Sequence, residues 1–529
     1  MPVLLRTRRR ANCCYHYWVS ISGTYHGLDP ERKYPNIAYL IEEAFDKIRE
    51  EWWDLGLELG SRGKFAHLAH APTAASYNCD LGLMLAWTAL VSKLATETRD
   101  VLVVCEDPWL FRHLSTLPNV NSSRQPLIWP SKLRLGLRGL LARAWLVSRV
   151  VWYSIITGYQ RKNHFGATKA IIVYGHPISR VDGTDAYFRD IMMKFPGLVR
   201  LVHTDGGPEK ATELAVDKRT ASLHGWGSIV FSLRLLFVLW WPAREHITGP
   251  YKWLVRRAAA KENGTASLVS NYWQEHCQNR WLSEVRPEVI AWPWENHPWE
   301  RMLVRSAKAL NIRTCGYQHT VVGRHQYNYS IRTNVDGLGS FPDIVISSGP
   351  AYASRLIRWG VPAEKLVEGG ALRIERQFHV EYEASGPIFV ALSSNCEVSS
   401  ALMEAVDRAA KNGAQFLVKQ HPLYPFSFDE TDSIRETKIS FPYQTKLSAM
   451  LYGTGTSGLE SLLAGIPTFR LLPDNCIAVD ILPDHIEAEL VTVESFETKL
   501  VNSSSRPDVP WETVYAAPNY AVWEKEIGS

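Results

Sequence analysis

The chain has 529 residues, more than a single hydrophobic core accommodates, so two or more domains are expected. Its 46% hydrophobic and 21% charged residues exclude a disordered or fibrous chain, and a formal net charge of +4 is too small to argue for nucleic acid. Eight cysteines, at 13, 14, 79, 105, 277, 315, 396 and 476, include no C-x-x-C pair, so neither a zinc site nor a disulfide framework is indicated and a reduced, cytoplasmic compartment is expected.

The chain opens with MPVLLRTRRRANCCYHYW, a basic run at Arg6, Arg8, Arg9 and Arg10 without the apolar core of a signal peptide. Residues 36–59 and 78–97 have helical patterns. Val101 to Val104 is a strand emptying into Glu106-Asp107-Pro108-Trp109, a Rossmann-like beginning without a Gly-rich fingerprint. Residues 132–162 are amphipathic, but Lys132, Arg134, Arg138, Arg143 and Arg149 break the apolar run, so this is no plain membrane span. The thirteen residues Ile229 to Trp241 are broken by Arg234 and followed by Arg244, Lys252, Arg256 and Arg257. Such Trp-rich pieces with Arg margins lie in a membrane interface, or they are core helices with snorkelling arginines. Two of them in one half favour the inner surface of the cytoplasmic membrane as a peripheral partner.

Strands at 170–174 and 198–202 lead into Gly175-His176-Pro177 and His203-Thr204-Asp205-Gly206-Gly207. His176 and Asp205 thus stand at carboxyl ends of strands, in positions that suit either chemistry or ordinary turns. A strand at 288–291 runs into Trp292-Pro293-Trp294-Glu295-Asn296-His297-Pro298-Trp299-Glu300. After a helix to Leu310, a strand at 312–316 empties into Tyr317-Gln318-His319-Thr320. Two successive strand ends therefore aim Glu295 and His319 at one cleft, where a carboxylate or imidazole can take a proton from a hydroxyl. Glu295 equally suits a helix N-terminus, and Glu300 a solvated helical face.

A second domain is expected from Phe341. It contains a strand at 343–346, a helix at 351–359, and a loop carrying Arg373, a candidate for phosphate or for a surface ion pair. The strand at 387–392 ends in Ser393, Ser394 and Asn395, which either reach a ligand or cap the next helix. Phe416 to Val418 empties into Lys419-Gln420-His421-Pro422. Gly453-Thr454-Gly455-Thr456-Ser457-Gly458 then opens a helix, which Gly465 stops before a strand at 468–472. Free helix N–H groups, the Thr456 and Ser457 hydroxyls and the helix dipole suit a phosphate, and Lys419 and His421 would add donors at the same sheet edge. Residues 480–500 have the pattern of a short strand and a helix, followed by a tail with Trp511, Tyr515, Tyr520 and Trp523.

The Lys-x-His-Pro element followed by Thr-Ser-Gly-Leu-Glu-Ser-Leu-Leu-Ala-Gly-Ile-Pro resembles the donor half of GT-B glycosyltransferases that build bacterial surface polysaccharides. The nearest patterns are those of capsule Kdo transferases and some bacterial sialyltransferases, which use CMP-activated sugars. Pro-x-Glu-Asn-x-x-Trp-Glu with Gly-Tyr-Gln-His after it likewise resembles a group of surface-carbohydrate (capsule, lipopolysaccharide) biosynthesis proteins. The resemblance implies an α/β fold of two Rossmann-like domains facing across a cleft, with helical insertions in the N-terminal half. The expected bounds are 1–335 and 340–500, with a 501–529 tail packing back on the first domain. It implies donor binding by Lys419, His421, Pro422, Thr456, Ser457, Arg373, Ser393, Ser394 and Asn395, and by Glu460 at a ribose. Glu295 and His319 would act on a lipid-linked or oligosaccharide acceptor. No Asp-x-Asp occurs, so metal-independent transfer is expected, with the nucleotide sugar as substrate and no cofactor. A nucleotide-sugar epimerase or hydrolase, a polyol-phosphate transferase and a non-catalytic scaffold of the same fold remain alternatives.

Overall fold

Runs such as Val101 to Val104 and Ala170 to Val173 are apolar at every position, so they need cover on both faces. Parallel sheets flanked by helices provide it. A computed structural model describes residues 3–8, 14–21, 27–97, 100–374, 376, 378–502 and 506–528. Arg9, Arg10 and Cys13 lie outside the described residues.

Among the described residues three larger parallel sheets follow one another along the chain, with a two-stranded parallel pair beside the last. The first contains β1 (Val3–Arg6), β2 (Tyr17–Ser20), β3 (Val101–Val104) and β4 (Val120–Ser122) in the order β2-β3-β1-β4. Sequence reasoning found only β3. Part of the basic run is instead strand, with the Arg6 Nη1 donating to the carbonyl oxygens of Leu5 and Asn121. Two helices, Ile37–Lys47 and Arg49–Ser61, occupy the stretch expected as one, and Leu81–Leu94 the next.

The second sheet comprises β5 (Lys169–Val173), β6 (Leu198–Val202), β7 (Thr220–Ser222), β8 (Val289–Pro293), β9 (Arg313–Gln318), β10 (Ile344–Ser347) and β11 (Leu366–Glu368). Its order, β11-β10-β9-β8-β5-β6-β7, starts in the middle at β5, runs out to β7, and returns beside β5 at β8 to run the other way. This is the doubly wound pattern, with its reversal between β5 and β8. The third sheet repeats it. After β12 (Glu381–Tyr382), which pairs with β16 (Lys446–Leu447), come β13 (Ile388–Ala391), β14 (Phe416–Lys419), β15 (Ile434–Glu436), β17 (Ala449–Tyr452), β18 (Thr468–Leu471) and β19 (Glu489–Val491). Their order is β15-β14-β13-β17-β18-β19, so this reversal lies between β13 and β17. The fold is α/β, with two Rossmann-like sheets in the GT-B manner and a smaller parallel sheet before them.

The strands at 344–347 and 366–368, grouped by sequence with the C-terminal half, belong to the second sheet. Ile344 is in register with Cys315, and Val345 with Leu366. The chain thus leaves the second sheet between Glu368 and Ile388, later than the 335–340 boundary drawn from sequence. The tail returns to it: Trp523 is buried against Ile171, Tyr317 and Ile346, and its indole N–H donates to the Gly369 carbonyl at 3.0 Å. A buried ionic cluster ties the sheets together. Arg470 of β18 meets Glu42 of the first helix at 2.7 Å and Asp480 at 3.5 Å. Arg324 reaches Asp480 at 3.0 Å, and His325 reaches Asp46 at 2.9 Å.

Candidate functional site

Beyond β8 the chain turns sharply, because Asn296 adopts a left-handed conformation with φ of 58°. Asparagine tolerates this region better than most residues. Its buried amide donates to the Asn328 carbonyl at 2.8 Å and to Asn334 Oδ1 at 3.0 Å. The Glu300 carboxylate fixes the same loop from below, accepting from the backbone N–H groups of Glu295 (2.9 Å), Asn296 (3.0 Å) and His297 (3.2 Å) and from the Trp292 indole (2.9 Å). Glu300 is fully buried rather than solvated, and burial pushes its pKa up to about 7. It holds the site's backbone.

With its backbone so fixed, Glu295 projects its carboxylate toward a group of imidazoles. His297 Nε2 lies 2.8 Å from Oε2, and His319 Nε2 lies 3.9 Å from Oε1. Arg373, in the loop after β11, places its guanidinium carbon 5.7 Å from the centre of the Tyr187 ring, which in turn packs edge-on to His319 at 5.0 Å. Burial works against charge on Glu295, but the His297 hydrogen bond, then His297, His319 and Arg373 as charges, outweigh it and pull its pKa down to about 2. Burial lowers His319 to about 4; Glu295 opposes this and Arg373 adds to it. His297 goes the other way: the Glu295 bond overcomes burial and raises it. At neutral pH the site therefore holds an ionised Glu295 and a neutral His319, both able to accept a proton.

These side chains arrive from the loops after β8, β9 and β11, beside Tyr174 after β5 and His203 after β6. Tyr174 and His203 stack at 4.8 Å, and His203 packs on Trp299 at 4.6 Å. The group sits at the carboxyl edge where the strand order reverses, the place where doubly wound sheets take ligands. Several of its buried polar atoms, His297 Nδ1, His203 Nε2 and Gln274 Nε2, have no hydrogen-bond partner among the described residues. Buried polar atoms ordinarily do, so these nitrogens are left for a polar guest.

The reversal of the third sheet presents the second half. Gly455 precedes the helix Thr456–Leu463 with φ 121° and ψ 154°, and no side chain caps the helix start. Gly458 passes so close to Tyr452 that a Cβ there would lie 2.4 Å from the ring. Thr456 and Ser457 are half-buried at this exposed positive helix end. Across the reversal, Ser393 Oγ accepts from the Asn395 N–H at 3.0 Å and Asn395 Oδ1 from the Glu397 N–H at 2.9 Å, so both serve the local cap. Ser394 is exposed.

The two halves face each other. The Tyr77 ring is half exposed, but its hydroxyl lies 2.8 Å from Thr454 Oγ1, and desolvation there raises its pKa to about 12, with Glu295 adding to that rise. Tyr515 feels both Glu460 and Arg373, although burial is the main reason its hydroxyl is raised.

Sequence reasoning had grouped Arg373 with the donor phosphate; the structure sets it beside Glu295. Lys419 and His421 end β14, two strands from β17, a distance of ~10 Å along the edge. Lys419 Nζ donates to the Lys438 carbonyl at 2.5 Å, and His421 Nδ1 accepts from the Leu423 N–H at 3.3 Å. Pro422 is exposed. Among the described residues no hydrogen bond joins His421 to Thr456 or Ser457, so their expected convergence on one anion is not preformed. His176 Nδ1 accepts from Ile178 in an ordinary turn, and Asp205 points to solvent beside His203. His297, His203, Tyr187 and Tyr77 were missed. Of these, His297, two residues beyond Glu295 in a loop, and His203, directly after the strand at 198–202, carried a signal in the sequence. Among the described residues no three His, Cys, Asp or Glu side chains are grouped as metal ligands.

No protein-family model matches the sequence, and neither does any curated protein. Solved structures to which this chain is similar include the apo lipopolysaccharide outer core galactosyltransferase WaaB, at 10% identity and TM-score 0.38, covering 68% of this chain and 99% of that one. UDP-GlcNAc 2-epimerase from Neisseria meningitidis, bound to UDP-GlcNAc, gives the same identity, TM-score and coverage. Anabaena Alr3699/HepE, in complex with UDP and glucose, is 9% identical with TM-score 0.33, covering 68% of this chain and 95% of that one.

Proposed function

We propose that the chain is a glycosyltransferase that moves a sugar from a nucleotide-activated donor to a hydroxyl of a lipid-linked or oligosaccharide acceptor in surface polysaccharide synthesis. The observation that carries this reading is the Glu295 carboxylate, kept ionised by His297 and Arg373 and linked to the other half through Tyr77, which feels its charge and meets Thr454 at 2.8 Å just before the uncapped helix start at Gly455–Ser457. In this reading the helix N–H groups and the Thr456 and Ser457 hydroxyls hold the donor phosphate and stabilise charge as the nucleotide departs. Lys419 and His421 line the same sheet edge two strands away and add positive charge or donors there. Glu295, with His319 beside it, takes the proton of the acceptor hydroxyl. Arg373 balances the charge of a bound sugar phosphate or of the carboxylate itself. The Lys-x-His-Pro and Thr-Ser-Gly elements favour a CMP-sugar as donor.

The burial of the imidazoles favours a second reading, a nucleotide-sugar epimerase or hydrolase. His203 and His297 each keep a buried ring nitrogen without a partner among the described residues, which suits moving protons on the bound sugar itself. One experiment separates the two. Purified protein is screened for stabilisation by CMP, UDP, CDP and GDP, then incubated with the matching nucleotide sugar without acceptor. The transferase reading expects selective stabilisation by one nucleotide and turnover only when acceptor is added. Free sugar or an epimer formed without acceptor supports the second reading. No stabilisation by any nucleotide overturns both.

A further inference from the structure

A different surface carries charge and apolar character together. Between Asp107 and Asp182 the sequence has no acidic residue and eleven lysines and arginines. Most of this stretch is one helix, Trp129–Thr157. One stripe of it packs inward through Gly139, Arg143, Leu146, Val147 and Val150, on the helix Lys252–Thr265. Gly139 permits the close approach, since a Cβ there would lie 2.2 Å from the Asn263 carbonyl oxygen. The opposite stripe is also apolar, and it is bare. Leu133, Leu137, Leu141, Trp145, Trp152 and Ile155 recur at helical spacing, with Leu141 73% and Trp145 62% exposed. Arg134 and Arg138 are exposed along its margin, and Arg149 stacks over Trp145 at 4.5 Å.

The segment from Ile229 extends this face. It is not the single apolar helix the sequence suggested but a helical turn, Ile229–Ser232, followed by 3-10 turns, Leu233–Phe237. Val230, Leu233, Phe237 and Trp240 point outward, Phe237 with 80% exposed. Leu239 meets Leu133, Leu137 and Leu140 across a groove of about 580 Å³. No acidic residue occurs from Lys218 to Arg244 either.

We infer that this face docks the protein flat onto a bilayer rich in anionic lipid. Apolar patches of this extent mark interaction sites, and an aromatic and aliphatic face edged by arginines without carboxylates complements an anionic interface. By length and composition the helix is long enough to cross a membrane. Its inward stripe, however, is held lengthwise in the core, and the Arg143 guanidinium is buried within 3.5 Å of the Asn263 carbonyl oxygen. It therefore lies along the surface. A second copy of the chain fits less well, since the basic margins would face each other. The inference stands whether or not the cleft transfers a sugar.

The test is flotation of the full chain with lipid vesicles of phosphatidylcholine alone or with roughly 30% phosphatidylglycerol. Binding to the anionic vesicles is expected, falling about tenfold or more in a Leu137→Glu, Leu141→Glu, Trp145→Glu variant. It should also weaken in Arg134→Glu, Arg138→Glu and on raising salt from about 0.1 M to about 1 M. All these positions are exposed, and near-ultraviolet circular dichroism checks that the variants fold. Absence of flotation with both lipids overturns the inference, as does equal binding by the apolar triple variant. A concentration-dependent dimer that the triple variant abolishes, without vesicle binding by the wild type, also overturns it and assigns the face to a second copy.

Discussion

Glu295, part-buried, and Glu300, fully buried, are five residues apart and held in opposite states. Burial raises each, but Glu300 is surrounded by N–H donors of the loop while Glu295 also faces His297, His319 and Arg373, so one settles near 7 and the other near 2. A pair of carboxyls driven apart in this way marks a division of labour between chemistry and scaffold. Glu295→Gln keeps the side-chain shape and removes the proton acceptor. It should lower kcat by about 10²- to 10⁴-fold while leaving nucleotide affinity, read by calorimetry, unchanged. Equal loss of nucleotide binding would make Glu295 a structural residue. The pH profile gives a second check. Glu295 and His319 lose their acceptor forms only as pH falls through about 2 and about 4, so kcat/KM should show no limb from these groups near 6.5. Arg373 favours an ionised Glu295 and a neutral His319. Arg373→Met should raise both pKa values and move the acid limb to higher pH. An unmoved limb would detach Arg373 from the site.

At the scale of elements, the start of the helix Thr456–Leu463 depends on one glycine. At φ 121° and ψ 154° Gly455 occupies a region closed to residues with a Cβ, although a Cβ there would touch nothing. Gly455→Ala therefore perturbs the backbone without a packing clash. The helix N–H groups should turn from the cleft and weaken nucleotide binding by about tenfold or more, with a backbone strain of about 1–3 kcal/mol. Unchanged affinity would place the nucleotide elsewhere. This unit was legible in the sequence because its signals are local: an apolar run, small residues at a turn, an amphipathic helix, a stopping glycine. The loop from Trp292 to Glu300 was legible for the same reason. Neighbour relations between strands were not. β10 and β11 carry the same apolar runs as β13, and only long-range pairing with β9 assigns them to the second sheet. Arg373 follows β11 and was misplaced with it. Tyr77 meets Thr454 across 377 positions of sequence, a contact that no local pattern encodes.

Across the whole molecule, buried charge and buried imidazoles decide how the three sheets stay together. Arg470 is inaccessible to solvent and is shared by Glu42 and Asp480, which come from different parts of the chain. Arg470→Met removes the fully buried cation of this cluster and leaves Glu42 and Asp480 to the partly exposed Arg324 at 3.5 and 3.0 Å. A loss of about 3–5 kcal/mol is expected, read as a lowered thermal midpoint and faster proteolysis between the sheets. Acid should act on the same assembly by another route. His164 and His224 each donate or accept through both ring nitrogens: Nδ1 accepts from the indole N–H of Trp281 and of Trp273, and Nε2 faces the carbonyls of Arg200 and Thr204. A second ring proton would break the indole bond, and burial already lowers His164 to about 4 and His224 to about 3. Burial likewise holds His70 at about 3 and His113, His276 and His319 at about 4. Unfolded, all six titrate near 6.5, so between about pH 6 and 5 the unfolded chain binds six protons that the folded chain refuses. Glu262 and Glu300, raised by burial to about 7, have the opposite sign, because they keep protons in the fold that they lose on unfolding. Six imidazoles against two carboxyls leave a net uptake of about four protons on unfolding, and stability must fall as pH falls through this window. The thermal midpoint should therefore drop steeply between about pH 6.5 and 5 and do so with little sensitivity to salt, since the responsible groups are buried. A flat midpoint over that range would mean that these imidazoles take up protons in the folded protein, and the indole bonds to His164 and His224 could not then be what holds them neutral.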